Sequence, residues 1–154
     1  CIPADLCAIF PFPAAYEVMM TIRDAARRVR ENAYAPYSKF RVGAAVRAAS
    51  GQIYMGCNVE NIAYPEGSCA ETGAIAAMVA AGESVIVEVC VIGSGPLPVP
   101  PCGGCRQRLD EFADAELKVV LMSETGEIVE TTLGALLPQG FGPRHMAGSG
   151  KDAT

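Results

Sequence analysis

Two cysteine segments restrict what this chain can fold into more than anything else in it: Cys69-Ala70-Glu71 and, further along, Pro101-Cys102-Gly103-Gly104-Cys105. Three thiolates can hold a Zn2+ ion and leave its fourth tetrahedral position open, the layout of a catalytic rather than a structural zinc. For that to happen the fold must bring the two segments within a few ångströms of each other. Each is followed by helix-forming sequence, so each would present first-turn N–H groups and the positive end of a helix dipole to its sulfurs. A zinc with three thiolates carries a formal charge of about −1, and two helix N-termini worth roughly +0.5 each offset it. Glu71, two residues after the first cysteine, is placed to move protons to and from water at the metal. The competing reading of the cysteines is a four-ligand zinc knob or a redox pair. Little supplies a fourth ligand: there is no second C-x-x-C, the single histidine, His145, falls near the C-terminus, and Cys57 and Cys90 do not stand at helix starts. For Glu71 the competing role is a capping-box partner of Ser68.

The rest of the composition bounds the partners. At 154 residues, 51% hydrophobic and 19% charged, the chain has the size and make-up of one globular domain. Twelve Lys and Arg stand against 17 Asp and Glu, for a net charge of −5. The densest basic stretch (Arg23, Arg27, Arg28, Arg30) is interleaved with Asp24 and Glu31, the pattern of a solvated helix face. A nucleic acid polymer is therefore not an expected partner. Seven cysteines is an odd count without the spacing of a disulfide scaffold, which suits a reducing compartment, and the expected location is cytoplasmic. Residues 1–13 are apolar but interrupted by Asp5 and three prolines, so they make neither a membrane span nor a signal peptide. We read 1–13 as an N-terminal extension, 14–142 as the domain and 143–154 as a mobile tail.

Periodicity and turn chemistry order the elements. Val18, Ile22, Ala25 and Val29 recur at helical spacing and predict a helix over Ala14–Glu31. Phe40–Ala49 and Gln52–Asn58 read as a hairpin around Ser50-Gly51. After a loop at Asn61–Ser68, a helix is expected from Cys69 to Ala81 with Ser68 as N-cap. Val85–Ile92 is rich in β-branched residues and is expected to be a buried central strand. The Pro/Gly loop Gly93–Pro101 leads into a second motif helix, Gly103–Phe112. Leu117–Met122 and Ile128–Glu130 read as further strands, and Thr132–Leu137 as a short helix. Strands alternating with helices after an initial hairpin indicate an α/β domain with a mixed sheet.

Several stretches in matching order resemble the small homotetrameric cytidine deaminases. They are Tyr34-Ala35-Pro36-Tyr37-Ser38-Lys39-Phe40, Gly56-Cys57-Asn58-Val59-Glu60-Asn61, the two cysteine segments extended to Arg106-Gln107, and Leu136-Leu137-Pro138 with Phe141. The resemblance runs from about Tyr16 to Gly142 and is far more specific than the zinc motif alone. It implies a three-layer α/β/α sandwich with a mixed five-stranded sheet, and one Zn2+ per subunit held by Cys69, Cys102 and Cys105. It implies hydrolytic deamination of cytidine and deoxycytidine to uridine and deoxyuridine with release of ammonia, Glu71 carrying protons to ring N3 and then to the amino group. By the same resemblance Asn58 and Glu60 hold the ribose, an amide and a carboxylate together meeting a hydroxyl as donor and acceptor. Alternate residues of an extended segment share a face, so the two would stand side by side. Phe40 is implied to pack on the pyrimidine, Phe141 to reach into a neighbouring subunit's site, Ala70 to offer backbone contacts to the base, and Tyr64 to lie at a subunit contact. Read without the resemblance, either Phe is first a core residue. A homotetramer is implied, and an apolar second helix (Gly73–Ala81) fits packing between copies.

The chain departs from this family at one point. Where the family form is Cys-Ala-Glu-Arg-Thr-Ala, this sequence has Cys69-Ala70-Glu71-Thr72-Gly73-Ala74. The family arginine resembles a donor to the zinc thiolates, a role Thr72 cannot fill; Arg106, another arginine or the helix dipoles would have to. Gly73 costs about 1 kcal/mol against Ala in a helix, and is either a close-packing site or simply tolerated. Two other functions stay open: a related zinc deaminase acting on another small substrate such as blasticidin S, and a non-catalytic zinc-stabilised interaction module. Phe40 and the Asn58/Glu60 pair favour a nucleoside.

Overall fold

The computed structural model describes residues 20–142 and His145. The expected extension 1–13, the first part of the expected Ala14–Glu31 helix and the expected tail other than His145 lie outside the described residues. Helix α1 runs from Ile22 to Arg30 and starts where its donors are satisfied. The Thr21 hydroxyl accepts from the Asp24 N–H at 3.1 Å, and the Asp24 carboxylate accepts from the Thr21 N–H at 3.3 Å. This capping box, which periodicity alone does not reveal, sets the start of α1 at Ile22.

The strands are β1 (Val42–Ala48), β2 (Ile53–Cys57), β3 (Ile86–Gly93), β4 (Lys118–Met122) and β5 (Ile128–Thr132). They form one sheet in the order β2-β1-β3-β4-β5. Only β3 and β4 pair in parallel; the other neighbours are antiparallel. A parallel pair needs a crossover, and α3 (Gly103–Asp110) supplies it. Helix α2 (Ala70–Ala80) links β2 to β3, and α4 (Leu133–Leu136) follows β5 with Thr132 as its cap, accepting from the Ala135 N–H at 3.2 Å.

Side-chain alternation along the strands splits the core in two. Val89 and Val91 of β3 join Val119 and Leu121 of β4 in one cluster, closed by Ala74 and Met78 of α2, Leu109 of α3 and Leu133 of α4. Cys90, Ile92, Val120 and Met122 point the other way, against Ile22, Ala25 and Ala26 of α1. The result is a three-layer α/β/α sandwich with a mixed five-stranded sheet, as the resemblance implied. β3 is central and buried along most of its length, although Val85, just before it, and Val87, near its start, remain exposed.

Helix α2 lies directly on the hairpin backbone. A Cβ on Gly56 of β2 would stand 2.3 Å from both Ala70 O and Ala74 N, so only glycine allows this approach. Gly73 faces the same point, but a Cβ there would meet the Gly56 Cα at 3.4 Å, an ordinary contact. The seat of the helix that bears Cys69 and Glu71 is therefore Gly56.

Candidate active site

The first turn of α2 is set from outside the helix. Ser68 is held extended: its N–H donates to Val59 O at 2.9 Å and its carbonyl accepts from the Val59 N–H at 3.0 Å. With both backbone groups of Ser68 paired, the chain turns helical one residue later and Cys69, not Ser68, is the N-cap. The expected Ser68–Glu71 capping box is thus corrected, because Glu71 falls on the second helical residue rather than the third. Cys102 is the N-cap of α3 in the same way.

The two helix starts meet. The sulfurs of Cys69, Cys102 and Cys105 all lie within 4.8 Å of one another, and Cys69 Sγ is 3.8 Å from Cys102 Sγ. Tetrahedral zinc with Zn–S bonds near 2.3 Å separates its sulfurs by about 3.8 Å. The donor set therefore fits zinc in both chemistry and spacing. Burial pushes the Cys69 thiol up, with Cys102 and Glu71 adding to the effect, and burial together with the Glu71 charge pushes Cys105 up strongly. Burial opposes ionisation of Cys102 too, yet the Cys105 backbone N–H and the neighbouring thiols acting on its sulfur bring it below the ordinary thiol value. Three crowded thiols do not ionise together on their own; a dication supplies the balancing charge.

Glu71 is buried, 4% exposed, beside this cluster, and among the described residues no cation pairs with it. Cys69, Ala70, Glu71 and Cys102 line a cleft of about 570 Å³ whose other walls include Asn58, Glu60, Tyr64, Val42 and Val99. The extended stretch Asn58–Glu60 is strapped on both sides. The Tyr34 N–H donates to Asn58 O at 3.0 Å and the Glu60 N–H to Tyr34 O at 2.8 Å, while Val59 pairs with Ser68 on the other side. The strap therefore ties the residue preceding Cys69 to the segment bearing Asn58 and Glu60.

A family model for the cytidine and deoxycytidylate deaminase zinc-binding region matches residues 17–122. The chain belongs to that family. The cytidine deaminase of Sporosarcina psychrophila is 43% identical over 121 residues, 79% of this chain and 89% of that protein. The cytidine deaminase of Halalkalibacterium halodurans is 40% identical over 127 residues, 82% of this chain and 96% of that protein. Among solved structures, cytidine deaminase from Burkholderia pseudomallei aligns with a TM-score of 0.75 at 42% identity, covering 79% of this chain and 100% of that one. As in that family, the cofactor is zinc.

Around this deaminase site, Asn58 and Glu60 are already partly engaged. Asn58 Oδ1 accepts from the Val42 N–H at 2.8 Å and its Nδ2 donates to Phe40 O at 3.0 Å. Glu60 accepts from the Tyr37 N–H at 2.9 Å, the Ser38 N–H at 3.2 Å and the Ser38 hydroxyl. The Ser38 hydroxyl chiefly holds the Glu60 carboxyl below its ordinary value; slight burial opposes this and the two N–H groups add to it. Ser38 has no role in the sequence reading, although it stands in the quoted Tyr34–Phe40 stretch. Its signal is the tight turn there, where Lys39 takes a left-handed φ of 60°.

The two phenylalanines lie outside the cleft lining. The Phe40 ring packs over Gly93 and Gly95: a Cβ on Gly93 would meet Phe40 Cζ at 2.9 Å and the Val99 side chain at 2.5 Å. Phe40 and Val99 thus both close over Gly93. Phe141 is 63% exposed, beyond α3, with its ring stacked on His145 at 5.4 Å. Tyr64 lines the cleft and is 76% exposed, with its ring edge-on to Tyr37 at 6.3 Å. Arg106 does not reach out to the thiolates for its partners. Its Nε donates to Pro101 O and its Nη1 to Leu136 O, both at 2.8 Å.

Proposed function

We propose that this protein hydrolyses cytidine and deoxycytidine to uridine and deoxyuridine with release of ammonia, a step of pyrimidine salvage. One observation carries the reading: a three-sulfur cluster and a buried carboxylate, paired with no cation among the described residues, share a cleft with an amide–carboxylate pair suited to a sugar hydroxyl. Cys69, Cys102 and Cys105 would hold the zinc, which when bound acidifies water and so makes a nucleophile available near neutral pH. Glu71 takes the proton of the attacking water and delivers it to ring N3, then passes a proton to the amino nitrogen on C4. A C4–O bond forms, the C4–N bond breaks, and one water is consumed for each ammonia released. Burial of Glu71 keeps bulk water from short-circuiting these transfers.

Glu60 keeps about one of its roughly four accepting positions after its three internal bonds. That matches a single ribose hydroxyl, and Asn58 retains one N–H for the same group. The Ala70 backbone and the apolar wall of Val42 and Val99 suit the pyrimidine. Exposed Tyr64 and Phe141, together with the exposed apolar residues Ala76, Ala77, Val79 and Ala80 of α2, support a homotetramer in which copies cover these surfaces. Among the described residues no helix is long and apolar enough to cross a membrane. Free cysteines at the site and in the core support a reducing location, the cytoplasm.

The test is ammonia release from cytidine, deoxycytidine and blasticidin S, with zinc quantified in the same sample. The expected result is one zinc per chain and turnover of the two nucleosides. Turnover of blasticidin S alone would reassign the substrate, and bound zinc with no ammonia from any of the three would indicate a non-catalytic module.

A further inference from the structure

An extended segment fixes the backbone of Glu60 but leaves its side-chain torsions free. A carboxylate that had to be ordered by its ligand would charge that entropy to binding. Here the Tyr37–Phe40 turn orders it beforehand. Glu60 Oε2 accepts from the Tyr37 N–H at 2.9 Å and the Ser38 N–H at 3.2 Å, while Oε1 accepts from the Ser38 hydroxyl. The turn itself is closed by the Lys39 N–H, which donates to Ala35 O at 3.1 Å. Ser38 Oγ also accepts from the Phe40 N–H at 2.9 Å, which occupies a lone pair and leaves the one hydroxyl proton for the carboxylate. The Phe40 carbonyl in turn accepts from Asn58 Nδ2 at 3.0 Å. A continuous run of hydrogen bonds thus links Glu60, the Ser38 hydroxyl, the Phe40 backbone and the Asn58 amide. Ser38, Asn58 and Glu60 all line the cleft shared by Cys69, Glu71 and Cys102.

We propose that Ser38 is a positioning residue for the sugar, its hydroxyl holding the Glu60 carboxylate as an acceptor for one sugar hydroxyl, in register with the Asn58 amide. The sugar contact rests on the deaminase reading above; the clamp on the carboxylate does not. The backbone N–H groups of Tyr37 and Ser38 survive any substitution of the Ser38 side chain and keep hold of Oε2. Loss of the hydroxyl therefore frees Oε1 alone, and the carboxylate swings about its remaining bonds. Threonine keeps the donor to Oε1 and the acceptor for the Phe40 N–H; alanine loses both.

The experiment compares zinc-loaded wild type with Ser38→Ala and Ser38→Thr by hydrogen exchange at the Phe40 amide and by steady-state kinetics on cytidine, 2′-deoxycytidine and 3′-deoxycytidine. In Ser38→Ala, exchange at Phe40 should rise about fivefold or more as the bond to Oγ is lost. KM for cytidine should rise about five- to tenfold with kcat changed less than about twofold, the pattern of lost binding rather than lost chemistry. Ser38→Thr should stay within about twofold of wild type in exchange and KM, because it keeps the hydroxyl. Zinc content should match wild type in both variants. With the deoxynucleoside that lacks the hydroxyl Glu60 accepts, Ser38→Ala should raise KM no further, since both changes remove the same contact. Ser38→Cys, close in shape but a weak donor and acceptor, carries both arms should the alanine variant not fold. Unchanged exchange at Phe40 would overturn the clamp. A KM rise of equal size on all three nucleosides would assign Ser38 to the turn alone and overturn its role toward the sugar. Wild type that turns over none of the three would remove the sugar contact together with the deaminase reading, and exchange at Phe40 would still decide the clamp.

Discussion

Glu71 sits beside three sulfurs, and among the described residues no cation pairs with it, an arrangement that suits the proton carrier proposed above. Glu71→Gln keeps the shape and should retain zinc while turnover falls by about 10²–10⁴-fold; ammonia release with zinc quantified checks it. Charge balance at the cluster is a separate matter. Arg106 spends its guanidinium on two carbonyls, so the helix N-termini are the compensation visible beside the sulfurs. Introducing a cation by Thr72→Arg should favour deprotonated forms and move the acidic limb of the pH–rate profile to lower pH. Glu60 titrates under the control of Ser38. Its carboxyl lies below the ordinary range, so its charge, and any sugar contact made through it, is lost only as pH falls through that lowered value. Ser38→Ala should return it towards the ordinary value, so that KM begins to rise on acidification at a higher pH than in wild type.

At the scale of elements, α2 is placed by what β2 lacks. Gly56→Ala would push a methyl group into the backbone of Ala70 and Ala74 and displace the turn that carries Cys69 and Glu71. Overpacking of this kind costs about 1–3 kcal/mol, and zinc affinity should fall with it. Gly73→Ala has room, and should stabilise the helix by up to about 1 kcal/mol without loss of activity. Urea denaturation with zinc quantification separates the two, and the contrast identifies Gly56 as the packing glycine. The Val59–Ser68 bridge works at the same scale: an extended pairing decides where a helix begins, and so where its sulfur points.

For the whole molecule, zinc joins the starts of two helices that otherwise meet through few side chains, one following the β2 edge and one crossing from β3 to β4. A ligand that binds only the folded state stabilises it by mass action. Chelation should therefore lower the melting temperature, and restoring zinc should raise it again in proportion to the logarithm of free metal. Thiol alkylation reads the same event. In the chelated protein Cys102, exposed and with its thiol shifted down, should react first among the described cysteines. Cys90, buried in the α1-side core and pushed up to about 12 by burial, should stay inert in both forms.

What could be read without coordinates was whatever depends on neighbours in the chain. The β-branched run Val85–Ile92, the turn at Ser50-Gly51 and the two cysteine segments sufficed for the order of elements, the α/β class and the cysteine cluster that could hold a metal ion. Those features are written in local spacing, because a strand, a turn and a helix start each answer to residues a few positions away. The tertiary structure decided the rest. It moved the α2 cap from Ser68 to Cys69 through a partner nine residues back, committed Arg106 to the carbonyls of Pro101 and of Leu136 at the end of α4, and packed Phe40 over Gly93 and Gly95. It also spent three of the acceptor positions of Glu60 on the Tyr37–Ser38 turn. Each of these outcomes pairs groups that only the folded sheet brings together. Burial forces every backbone donor and acceptor to find a partner, and which partner is nearest is a property of the packed molecule rather than of the chain. The cysteines announced a metal centre in the sequence; the Val59 strap and the Gly56 seat, which place the segments around it, exist only in three dimensions.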